Sequence, residues 1–247
     1  MNLGYNLNMS KTIIIIGASS GIGRELSEQY LDKGYKLGIL ARRIDLLNEI
    51  SSLAPDRVTV GSIDVSETDK VISEYENFLH KFDKIDLIIN SAGIGFVNHD
   101  LDLDLELKTN SVNVDGFVAI TVLSIKHLVK QGHGHYADIT SIAALVGRAD
   151  CPSYNASKAY QVNYLEAIRQ VVYRKKLPIT ITDIKPGFVD TKMSKGSKFI
   201  WMASTNKAAR QIIKALEKKS EHVYVTRRWR LIAWVIKIAP RFIRKIS

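Results

Sequence analysis

Short apolar runs alternate along the chain with longer stretches in which the apolar positions follow helical spacing. The apolar runs are rich in Ile and Val, and they lie at 12–18, 36–41, 57–65, 85–90, 135–141, 179–186 and 222–226. The helical patterns lie at 21–33, 43–53, 66–82, 104–131, 154–176 and 203–219. Strands that are apolar on successive residues are typical of parallel sheets covered on both faces. The alternation therefore predicts an α/β fold with a doubly wound parallel sheet between two layers of helices.

The length and composition of the chain fit one full-sized domain. No stretch rich in Pro, Gly and Ser could serve as a linker, so we predict one domain over residues 1–226 and a basic tail over 227–247. The single cysteine, Cys151, excludes an intramolecular disulfide and suits a reducing compartment. The N-terminus does not read as a secretory signal, and no uninterrupted apolar run reaches the roughly 18 residues of a membrane span. These features predict a cytoplasmic protein, and the histidines show no metal-ligand spacing.

The net charge of +10 is concentrated in the tail. Residues 227–247 contain seven basic residues and no acidic residue, whereas the rest of the chain is nearly balanced. This distribution argues against a broad basic groove for nucleic acid. The apolar positions of the tail follow helical spacing before Pro240, and they include Leu231, Trp234, Val235, Ile238 and Phe242. Three places suit such a helix: an anionic membrane surface, a cover over the active site, or a dimer interface.

A glycine-rich segment, "GASSGIG", joins the first predicted strand to the first predicted helix. Glycine lets the backbone turn sharply and approach a ligand closely, and the helix N-terminus offers unpaired N–H groups to a phosphate. Glycines often only finish a strand, but this position in an alternating fold predicts a dinucleotide site. The residues expected to contact the dinucleotide here are Gly17, Ser19, Ser20, Gly21, Ile22 and Gly23.

The end of the second predicted strand indicates which dinucleotide binds. An acidic residue is typical there of NAD sites, whereas the 2′-phosphate of NADP needs a cation. The strand ends "ILARR", which supplies Arg42 and Arg43 and no acid. A guanidinium can bind the phosphate through two hydrogen bonds and stack on adenine. We therefore predict NADP(H), with Arg42 as the favoured phosphate ligand, while one of the two arginines can instead begin a solvated helix.

Two further strand ends complete the predicted cofactor site. Asp64 and Val65 close the third predicted strand, where a short acid can accept a hydrogen bond from the adenine amino group. The segment "NSAG", Asn90 to Gly93, closes the fourth, where small residues would admit the nucleotide.

Tyr154 and Lys158 are four positions apart in a predicted helix and so share one face. A free phenol titrates near about pH 10, and a close cation favours its ionised form and lowers that pKa. The pair could therefore transfer protons near neutral pH, although an ordinary surface pair has the same spacing.

Six motifs together make the chain resemble the classical short-chain dehydrogenases/reductases from Lys11 to about Thr226. In chain order they are the glycine motif, "NSAG" from Asn90, "NVDG" from Asn113, Ser141 at the end of the fifth predicted strand, "YNASK" from Tyr154, and "PGFVDT" from Pro186. Ser141 precedes Tyr154 by thirteen residues, which is the interval usual in this family. The resemblance implies a Rossmann fold with a sheet of about seven strands in the order 3-2-1-4-5-6-7.

The resemblance also implies a role for each catalytic residue in hydride transfer between NADP(H) and a carbonyl or alcohol. Tyr154 would exchange the proton with the substrate oxygen, which Ser141 would polarise. Lys158 would lower the tyrosine pKa and bind the nicotinamide ribose, and Asn113 would hold a water that links Lys158 to solvent. The remaining implied cofactor contacts are Asn90, Ala92, Gly93, Pro186, Gly187, Val189 and Thr191. A homodimer or homotetramer through the helices at 104–131 and 154–176 is also implied.

The substrate is the least determined part of the sequence. Residues 193–205 fall where this family covers its substrate, and they include Phe199, Ile200, Trp201 and Met202. These side chains either line an apolar substrate site or pack on the core. The alternatives are an epimerase or dehydratase on the same fold, and a non-catalytic nucleotide-binding or membrane-associated scaffold. The intact Ser141, Tyr154 and Lys158 argue against the scaffold.

Overall fold

A computed structural model describes residues 11–191, 202–226 and 228–238. Within them, parallel strands form a sheet in the order β3-β2-β1-β4-β5-β6-β7. The strands are β1 (Thr12–Ile16), β2 (Lys36–Ala41), β3 (Val58–Ser62), β4 (Leu87–Asn90), β5 (Gly134–Ile139), β6 (Ile179–Pro186) and β7 (His222–Val225). This order confirms the predicted doubly wound parallel sheet.

Helices connect the strands and cover both faces of the sheet. They are α1 (Gly21–Asp32), α2 (Ile44–Ser52), α3 (Thr68–Leu79), α4 (Leu103–Asn110), α5 (Phe117–Gln131), α6 (Pro152–Arg174), α7 (Thr205–Glu217) and α8 (Arg228–Ile238). Short 3₁₀ helices lie at Pro55–Arg57 and Ile142–Leu145, and one π-helical turn lies at Ser111–Gly116. The predicted helix over 104–131 is therefore a continuous helical run with a π-turn between α4 and α5.

The side chains of β1 show why the strands are apolar on successive residues. Ile13 and Ile15 face the core formed with α1, α2 and α7, whereas Ile14 and Ile16 face the core formed with α3, α5 and α6. All four are buried. Because both faces are covered, each position of the strand lies in an apolar environment.

Two predicted strand ends need correction. β3 ends at Ser62, so Asp64 and Val65 lie in the loop beyond the strand and do not close it. β5 ends at Ile139, and Ser141 lies two residues later, where it begins the 3₁₀ helix Ile142–Leu145. In both cases the apolar run continues past the last residue of the strand, because the following loop is also packed against the domain.

The parallel sheet brings the carboxyl ends of its strands to one edge. The strand order reverses between β1 and β4, because the chain extends from β1 toward β3 on one side and from β4 toward β7 on the other. Ligands of doubly wound sheets bind in the crevice at this point. The ends of β1, β4, β5 and β6 are therefore where the predicted site residues should meet.

The helical run Leu103–Gln131 is long and apolar enough, by length and composition alone, to cross a membrane. Half of its most apolar window is buried inside the domain. Phe117 and Ile120 are fully buried in the core that α5 shares with α3. Core packing therefore accounts for the apolar character of this run.

The first part of the predicted basic tail forms α8, which packs on the domain through one face. Trp229 and Ala233, four residues apart, are buried, whereas 72% of Leu231 and 66% of Trp234 are exposed. The sequence pattern did not single out Trp229 as the contact with the domain. Pro240 and Phe242 lie outside the described residues.

Candidate active site

The glycine-rich loop between β1 and α1 is pressed against the end of β4. Gly17 has φ +79°, and a Cβ atom there would lie 2.6 Å from the backbone nitrogen of Ala92. A Cβ atom at Gly23 would overlap the carbonyl oxygen of Gly17. Both positions therefore require glycine, since any side chain would push the loop away from its neighbours.

The start of α1 is open to an anion. Ser20 is the N-cap residue, but its side chain makes no capping hydrogen bond, and the first turn carries no acidic residue. The positive end of the helix is thus not occupied by a side chain of its own first turn. A cavity of about 420 Å³ adjoins this turn and is lined in part by Ser19, Ser20, Gly21 and Thr191.

The two arginines after β2 have different contacts. Arg43 Nη2 donates hydrogen bonds to Ser19 Oγ at 2.9 Å and Ser20 Oγ at 2.8 Å, so its guanidinium lies against the glycine-rich loop. Arg42 Nη1 lies 3.5 Å from Asp64 Oδ2. Arg43 therefore borders the glycine-rich loop, and Arg42 borders the Asp64 side chain. The contacts of Arg43 show that it is not simply a solvated residue at the start of α2. Arg42 as the phosphate ligand stays a prediction.

Asp64 and Val65 contact Arg42 and Gly116, respectively. Burial acts to raise the pKa of Asp64, but hydrogen bonds from Ser66 and the charge of Arg42 outweigh it and lower that pKa. The Asp64 carboxylate is therefore ionised at neutral pH. A Cβ atom at Gly116 would overlap the Val65 carbonyl oxygen, which explains the glycine in the "NVDG" motif.

The "NSAG" segment lies between the glycine-rich loop and Lys158. Asn90 is buried, and its Nδ2 atom donates to Asp138 Oδ2 at 2.7 Å. A Cβ atom at Gly93 would lie 3.4 Å from Lys158 Nζ and 3.5 Å from Asn113 Oδ1. Gly93, a predicted cofactor contact, thus lies next to Lys158 and Asn113, which are predicted catalytic residues.

Ser141 and Tyr154 are held together by the segment between them. Ser141 Oγ accepts a hydrogen bond from Ala143 N at 3.0 Å and so caps the 3₁₀ helix. Asn155 Nδ2 donates to the carbonyl oxygens of Ala143 and Val146, both at 2.9 Å, and so ties this helix to the first turn of α6. The neighbouring residue on α6, Tyr154, is thereby held beside Ser141.

Burial opposes the lowering of the Tyr154 pKa that we predict for Lys158 together with the positive nicotinamide of the oxidised cofactor. Burial raises the pKa of the phenol, and hydrogen bonding with Ser141 only partly opposes this effect. Lys158 Nζ lies 6.0 Å from the centroid of the tyrosine ring, and it is not among the groups that lower the pKa. Desolvation of the phenolate therefore outweighs the attraction of the cation at this distance.

Lys158 is almost fully buried, with 3% of its surface exposed. Its ammonium donates to the Ile139 carbonyl oxygen at 3.0 Å and to Gln161 Oε1 at 2.8 Å. Burial lowers the pKa of Lys158 to about 8, although the charge of Asp138 acts to raise it. The ammonium form is therefore the main form at neutral pH, and it begins to lose its proton at mildly basic pH.

Asn113 lies in the π-helical turn and is fully buried. Its side chain exchanges hydrogen bonds with the Ile94 backbone, with Ile94 N donating to Oδ1 at 2.9 Å and Nδ2 donating to the carbonyl oxygen at 2.8 Å. Its own carbonyl oxygen accepts from Gln161 Nε2 at 2.8 Å. Gln161 thus joins Asn113 to Lys158, where the family resemblance implied a water molecule. The signal was available in the sequence, because Gln161 is three residues after Lys158 on the same helix face.

The residues that follow β6 pack against α8 through Trp229. A Cβ atom at Gly187 would overlap the Trp229 indole, and the rings of Phe188 and Trp229 meet edge to face at 5.3 Å. Only a glycine leaves room for the indole here. Pro186 ends β6 and is buried beside it.

The loop after β6 returns to the glycine-rich loop. Val189 pairs with Ala203 in a short parallel bridge, and Thr191 Cγ2 would lie 3.4 Å from a Cβ atom at Gly21. The predicted contacts Val189 and Thr191 are therefore on the cofactor side of the site. Phe199, Ile200 and Trp201 fall outside the described residues, and Met202 is half-buried.

These residues fit a nicotinamide dinucleotide. A cavity adjoins the glycine-rich loop at the start of α1, Arg43 contacts this loop, and Arg42 follows directly after β2. Lys158 lies next to Gly93 and near the Tyr154 ring. Tyr154 in turn hydrogen-bonds with Ser141. Among the described residues, no group of three His, Cys, Asp or Glu side chains is placed to hold a metal ion.

Solved structures with the same fold include proteins with either form of the cofactor. A short-chain dehydrogenase from Burkholderia cenocepacia, in complex with NADP, superposes with a TM-score of 0.82 at 22% identity over 96% of both chains. A short-chain dehydrogenase/reductase from Burkholderia phymatum, in complex with NAD, superposes with a TM-score of 0.80 at 18% identity over 92% of both chains. At these identities the comparison establishes the shared fold.

Sequence comparison establishes the family. The chain is 31% identical over 242 residues to the 11-beta-hydroxysteroid dehydrogenase-like protein 2 of Arabidopsis thaliana, covering 92% of this chain and 76% of that protein. It is 28% identical over 196 residues to a 3-oxoacyl-[acyl-carrier-protein] reductase of Bos taurus, covering 76% of this chain and 79% of that protein. The family model for short chain dehydrogenases matches residues 11–199. The chain therefore belongs to the short-chain dehydrogenase/reductase family of oxidoreductases.

Proposed function

We propose that this chain transfers a hydride between NADP(H) and the carbonyl or alcohol group of a small, apolar substrate. The observation that carries this function is the convergence of Ser141, Tyr154 and Lys158 beside the glycine-rich loop. Donating or accepting the hydride is the chemistry that the nicotinamide supplies when it is bound. The steps that follow belong to side chains of this chain.

Tyr154 is the proposed proton donor in carbonyl reduction and the proton acceptor in alcohol oxidation. Because burial raises the pKa of its hydroxyl, the phenol is protonated at neutral pH, as a proton donor must be. Giving up the proton to the substrate oxygen leaves a buried phenolate. The Lys158 ammonium lies 6.0 Å from the ring centroid, and its proposed role is to compensate that charge as it forms in the buried site.

Ser141 and Asn113 have supporting roles in this proposal. The Ser141 hydroxyl donates to the substrate oxygen and polarises the carbonyl, as one donor of an oxyanion hole does. Asn113 and Gln161 hold the Lys158 ammonium in place, because Gln161 bonds to Lys158 Nζ and to the Asn113 carbonyl oxygen. Because amide groups do not relay protons, this chain fixes Lys158 in place, and the proton that Tyr154 gives up is replaced from solvent.

NADP(H) is favoured over NAD(H) by the charges after β2. Arg42 and Arg43 lie there with no acidic residue at the strand end, and a 2′-phosphate needs cationic partners. The phosphate would be held by Arg42, with Arg43 beside the glycine-rich loop. Asp64 is the proposed acceptor of the adenine amino group.

The proposed substrate is an apolar carbonyl compound or the matching alcohol. The segment 193–205 carries four large apolar side chains where the family covers its substrate. Relatives of this chain are named as steroid dehydrogenase-like and 3-oxoacyl reductase proteins, and both names describe largely apolar substrates. Ring ketones and 3-oxoacyl thioesters are therefore the first compounds to test.

A carbonyl panel with 4-deuterated NADPH tests this function. The panel contains a ketosteroid, a 3-oxoacyl thioester and simple apolar ketones, and both NADPH oxidation and deuterium in the alcohol product are measured. Deuterium at the carbinol carbon, with one NADPH consumed per product, is the expected result. Cofactor binding without NADPH oxidation in the whole panel would contradict it and would favour the scaffold, whereas isomerised product without net NADPH consumption would favour the epimerase.

The proposal includes peripheral contact between α8 and an anionic membrane. The outer face of α8 exposes Leu231 and Trp234, with Arg228 and Arg230 also exposed beside them. Such a face combines apolar side chains for the interface with cations for anionic lipid. The inner face of the same helix, through Trp229, packs on Gly187 at the site. The proposed membrane-facing surface would then belong to the same helix that packs on the end of β6.

The proposal also includes a homo-oligomer through the helices at 104–131 and 154–176. α4 and α6 pack side by side and expose large apolar side chains. These are Leu103, Leu107, Tyr160, Val171 and Tyr173. A second copy of the chain would remove this surface from water.

A further inference from the structure

Asp138 is a buried carboxylate for which the proposed reaction has no use. It lies in β5 with 1% of its surface exposed. Its Oδ2 atom accepts hydrogen bonds from Asn90 Nδ2 at 2.7 Å and from Tyr136 Oη at 3.1 Å. Both donors are neutral, so the hydrogen bonds fix the carboxylate without neutralising its charge. A buried charge of this kind is costly unless an opposite charge compensates it.

Lys158 is a buried cation whose hydrogen-bond partners are likewise neutral. The partners of its ammonium are the Ile139 carbonyl oxygen and Gln161 Oε1, which are both neutral. Ile139 directly follows Asp138 in β5, so the ammonium is held beside the strand that carries the carboxylate. Among the described residues the two charged groups form no direct ion pair, but both are buried, so little solvent screens one charge from the other.

Each of the two charges opposes the effect of burial on the other. Burial raises the pKa of Asp138 to about 6, and the charge of Lys158 limits this rise. Burial lowers the pKa of Lys158 to about 8, and the charge of Asp138 limits this fall. At neutral pH both groups are therefore charged. Without either one, burial would act on the other unopposed.

The uncharged polar groups around Asp138 cannot replace it as the counter-charge of Lys158. They are Asn90 on β4, Tyr136 on β5, Thr121 on α5 and Tyr75 on α3. Burial raises the pKa of both tyrosines, so their hydroxyls are neutral. Gln161 and Asn113 contribute only dipoles.

The charged neighbour on β6 is already paired. Asp183 is the register partner of Asp138 on the adjacent strand. Its carboxylate forms an ion pair with Lys185 and accepts a hydrogen bond from Thr140 at 2.6 Å. His222 Nδ1 also lies 3.8 Å from it. Asp183 is thus engaged with its own cation, and Asp138 is the carboxylate that acts on Lys158.

We propose that Asp138 is a positioning residue for Lys158, and that its buried negative charge keeps the Lys158 ammonium protonated at neutral pH. This role rests on the proposed function, because it matters only if Lys158 supports Tyr154. The carboxylate does not touch the substrate or the cofactor. It sets the upper end of the pH range in which Lys158 can compensate the charge of the phenolate.

The wild-type protein allows a direct test without turnover. The ¹³Cε signal of Lys158, assigned by its loss in Lys158→Met, is titrated by NMR in protein without cofactor. We expect the main titration near pH 8 and a second, smaller response near pH 6, where Asp138 gains a proton. A single titration with no response near pH 6 would show that the carboxylate does not act on the lysine.

A matched pair of variants separates charge from hydrogen bonding. Asp138→Asn removes the charge and keeps the shape, so the ¹³Cε titration and the basic limb of kcat should both move at least one pH unit lower. Activity near pH 6 should then stay within about threefold of wild type, while activity near pH 8 should fall by about fivefold or more. Tyr136→Phe removes a hydrogen bond and keeps the charge, and its basic limb should not move lower.

The outcomes distinguish this inference from the proposed function. If Tyr154→Phe is inactive but Asp138→Asn keeps the wild-type titration and pH profile, only the role of Asp138 is wrong. If Tyr154→Phe is fully active, the proposed function is wrong, and the ¹³Cε titration still decides whether Asp138 acts on Lys158. If Tyr136→Phe moves the basic limb as far as Asp138→Asn does, hydrogen bonding rather than charge is responsible.

Discussion

At the scale of single residues, the proposed preference for NADP(H) depends on the two arginines after β2. Arg42 lies beside Asp64, whereas Arg43 bonds to Ser19 and Ser20 of the glycine-rich loop. Arg42→Asp should raise the Kd of NADPH by about 10- to 100-fold, because a charged hydrogen bond is worth about 1.5–3 kcal/mol and the new carboxylate repels the phosphate. The Kd of NADH should change by less than about threefold.

Fluorescence titration of both cofactors with wild type, Arg42→Asp and Arg43→Asp measures this preference. Arg43→Asp is the matched control, because it also disturbs the loop that holds the phosphates common to both cofactors. It should weaken NADPH and NADH together. Equal losses of the two cofactors in Arg42→Asp would rule out the proposed phosphate contact.

His135 predicts part of the acid sensitivity of the protein. Burial lowers its pKa to about 4, and its Nε2 atom lies 2.7 Å from Thr182 Oγ1, whose proton goes to the Ser220 carbonyl oxygen. The unfolded chain, with a histidine pKa near 6.5, binds more protons between pH 4 and 6.5. The free energy of unfolding therefore decreases by up to about 3 kcal/mol as the pH falls through this window.

Urea unfolding at pH 7 and at pH 4.5, for wild type and His135→Gln, measures this contribution. The loss of unfolding free energy between the two pH values should be smaller in the variant, whatever its stability at pH 7. Comparing slopes with pH removes the opposite contribution of Asp138, whose pKa is raised and which is the same in both proteins. Identical losses in the two proteins would mean that folding does not lower the pKa of His135, which would contradict the prediction.

The residues that the sequence revealed are those whose neighbours lie close along the chain. The glycine-rich segment and the Tyr154–Lys158 pair depend on local spacing. Asp138 and Gln161 act through partners 48 residues away, Asn90 and Asn113 respectively, so their surroundings are fixed only by the folded sheet and helices. The effect of burial on the Tyr154 pKa was missed for the same reason.

At the scale of elements, α8 has two faces with different partners. The inner face packs on Gly187 through Trp229, and the outer face exposes Leu231 and Trp234. Truncation at Thr226 would uncover the core beneath Trp229, so a surface variant is the better test. Leu231→Ser combined with Trp234→Ser should lose most of the binding to vesicles that contain phosphatidylserine.

Co-sedimentation with anionic and with zwitterionic vesicles measures that loss. Wild type should pellet with anionic vesicles and should be released as the salt concentration rises, because the basic tail contributes attraction that salt screens. Ala233, on the inner face, is left unchanged so that the helix stays docked. Wild type that remains in the supernatant with both vesicles would contradict the membrane contact, and a change in oligomer size in the double variant would favour a dimer interface instead.

The elements themselves were predictable, and their ends were less so. Both faces of the central strands are covered, so apolar runs such as 12–18 mark strands without ambiguity. The runs overshoot at β3 and β5, because the loops that follow are also partly buried. The π-turn at Ser111–Gly116 was not predicted from the sequence, and at its end Gly116 packs against the Val65 backbone, where a Cβ atom would not fit.

At the scale of the whole molecule, exposed apolar side chains on α4 and α6 predict self-association. Val171 and Tyr160 are eleven residues apart on α6, which places them on one face, and both are exposed. Val171→Glu should shift the wild-type oligomer toward monomer in sedimentation velocity. Leu53→Glu, which alters an exposed residue directly after α2 and outside α4 and α6, is the matched control. A wild type that sediments as a monomer at all concentrations would refute the interface.

The doubly wound parallel sheet could be predicted from the alternation of strands and helices, whereas the strand order came from the resemblance to the family. Once that order is known, the position of the site at the carboxyl edge of the sheet follows. The support of Gly187 by Trp229 did not follow, because it joins the tail to a loop about forty residues earlier. Trp229 reaches Gly187 because β7, which directly precedes α8, pairs with β6.

The most direct test of the central claim is the kcat of Tyr154→Phe with the best substrate from the carbonyl panel. The variant removes one hydroxyl and keeps the ring that packs on Gly95. The account predicts that kcat falls by about 10²- to 10⁴-fold while the Kd of NADPH stays within about threefold, because the phenol acts only as the proton donor. A kcat close to that of wild type would contradict the account.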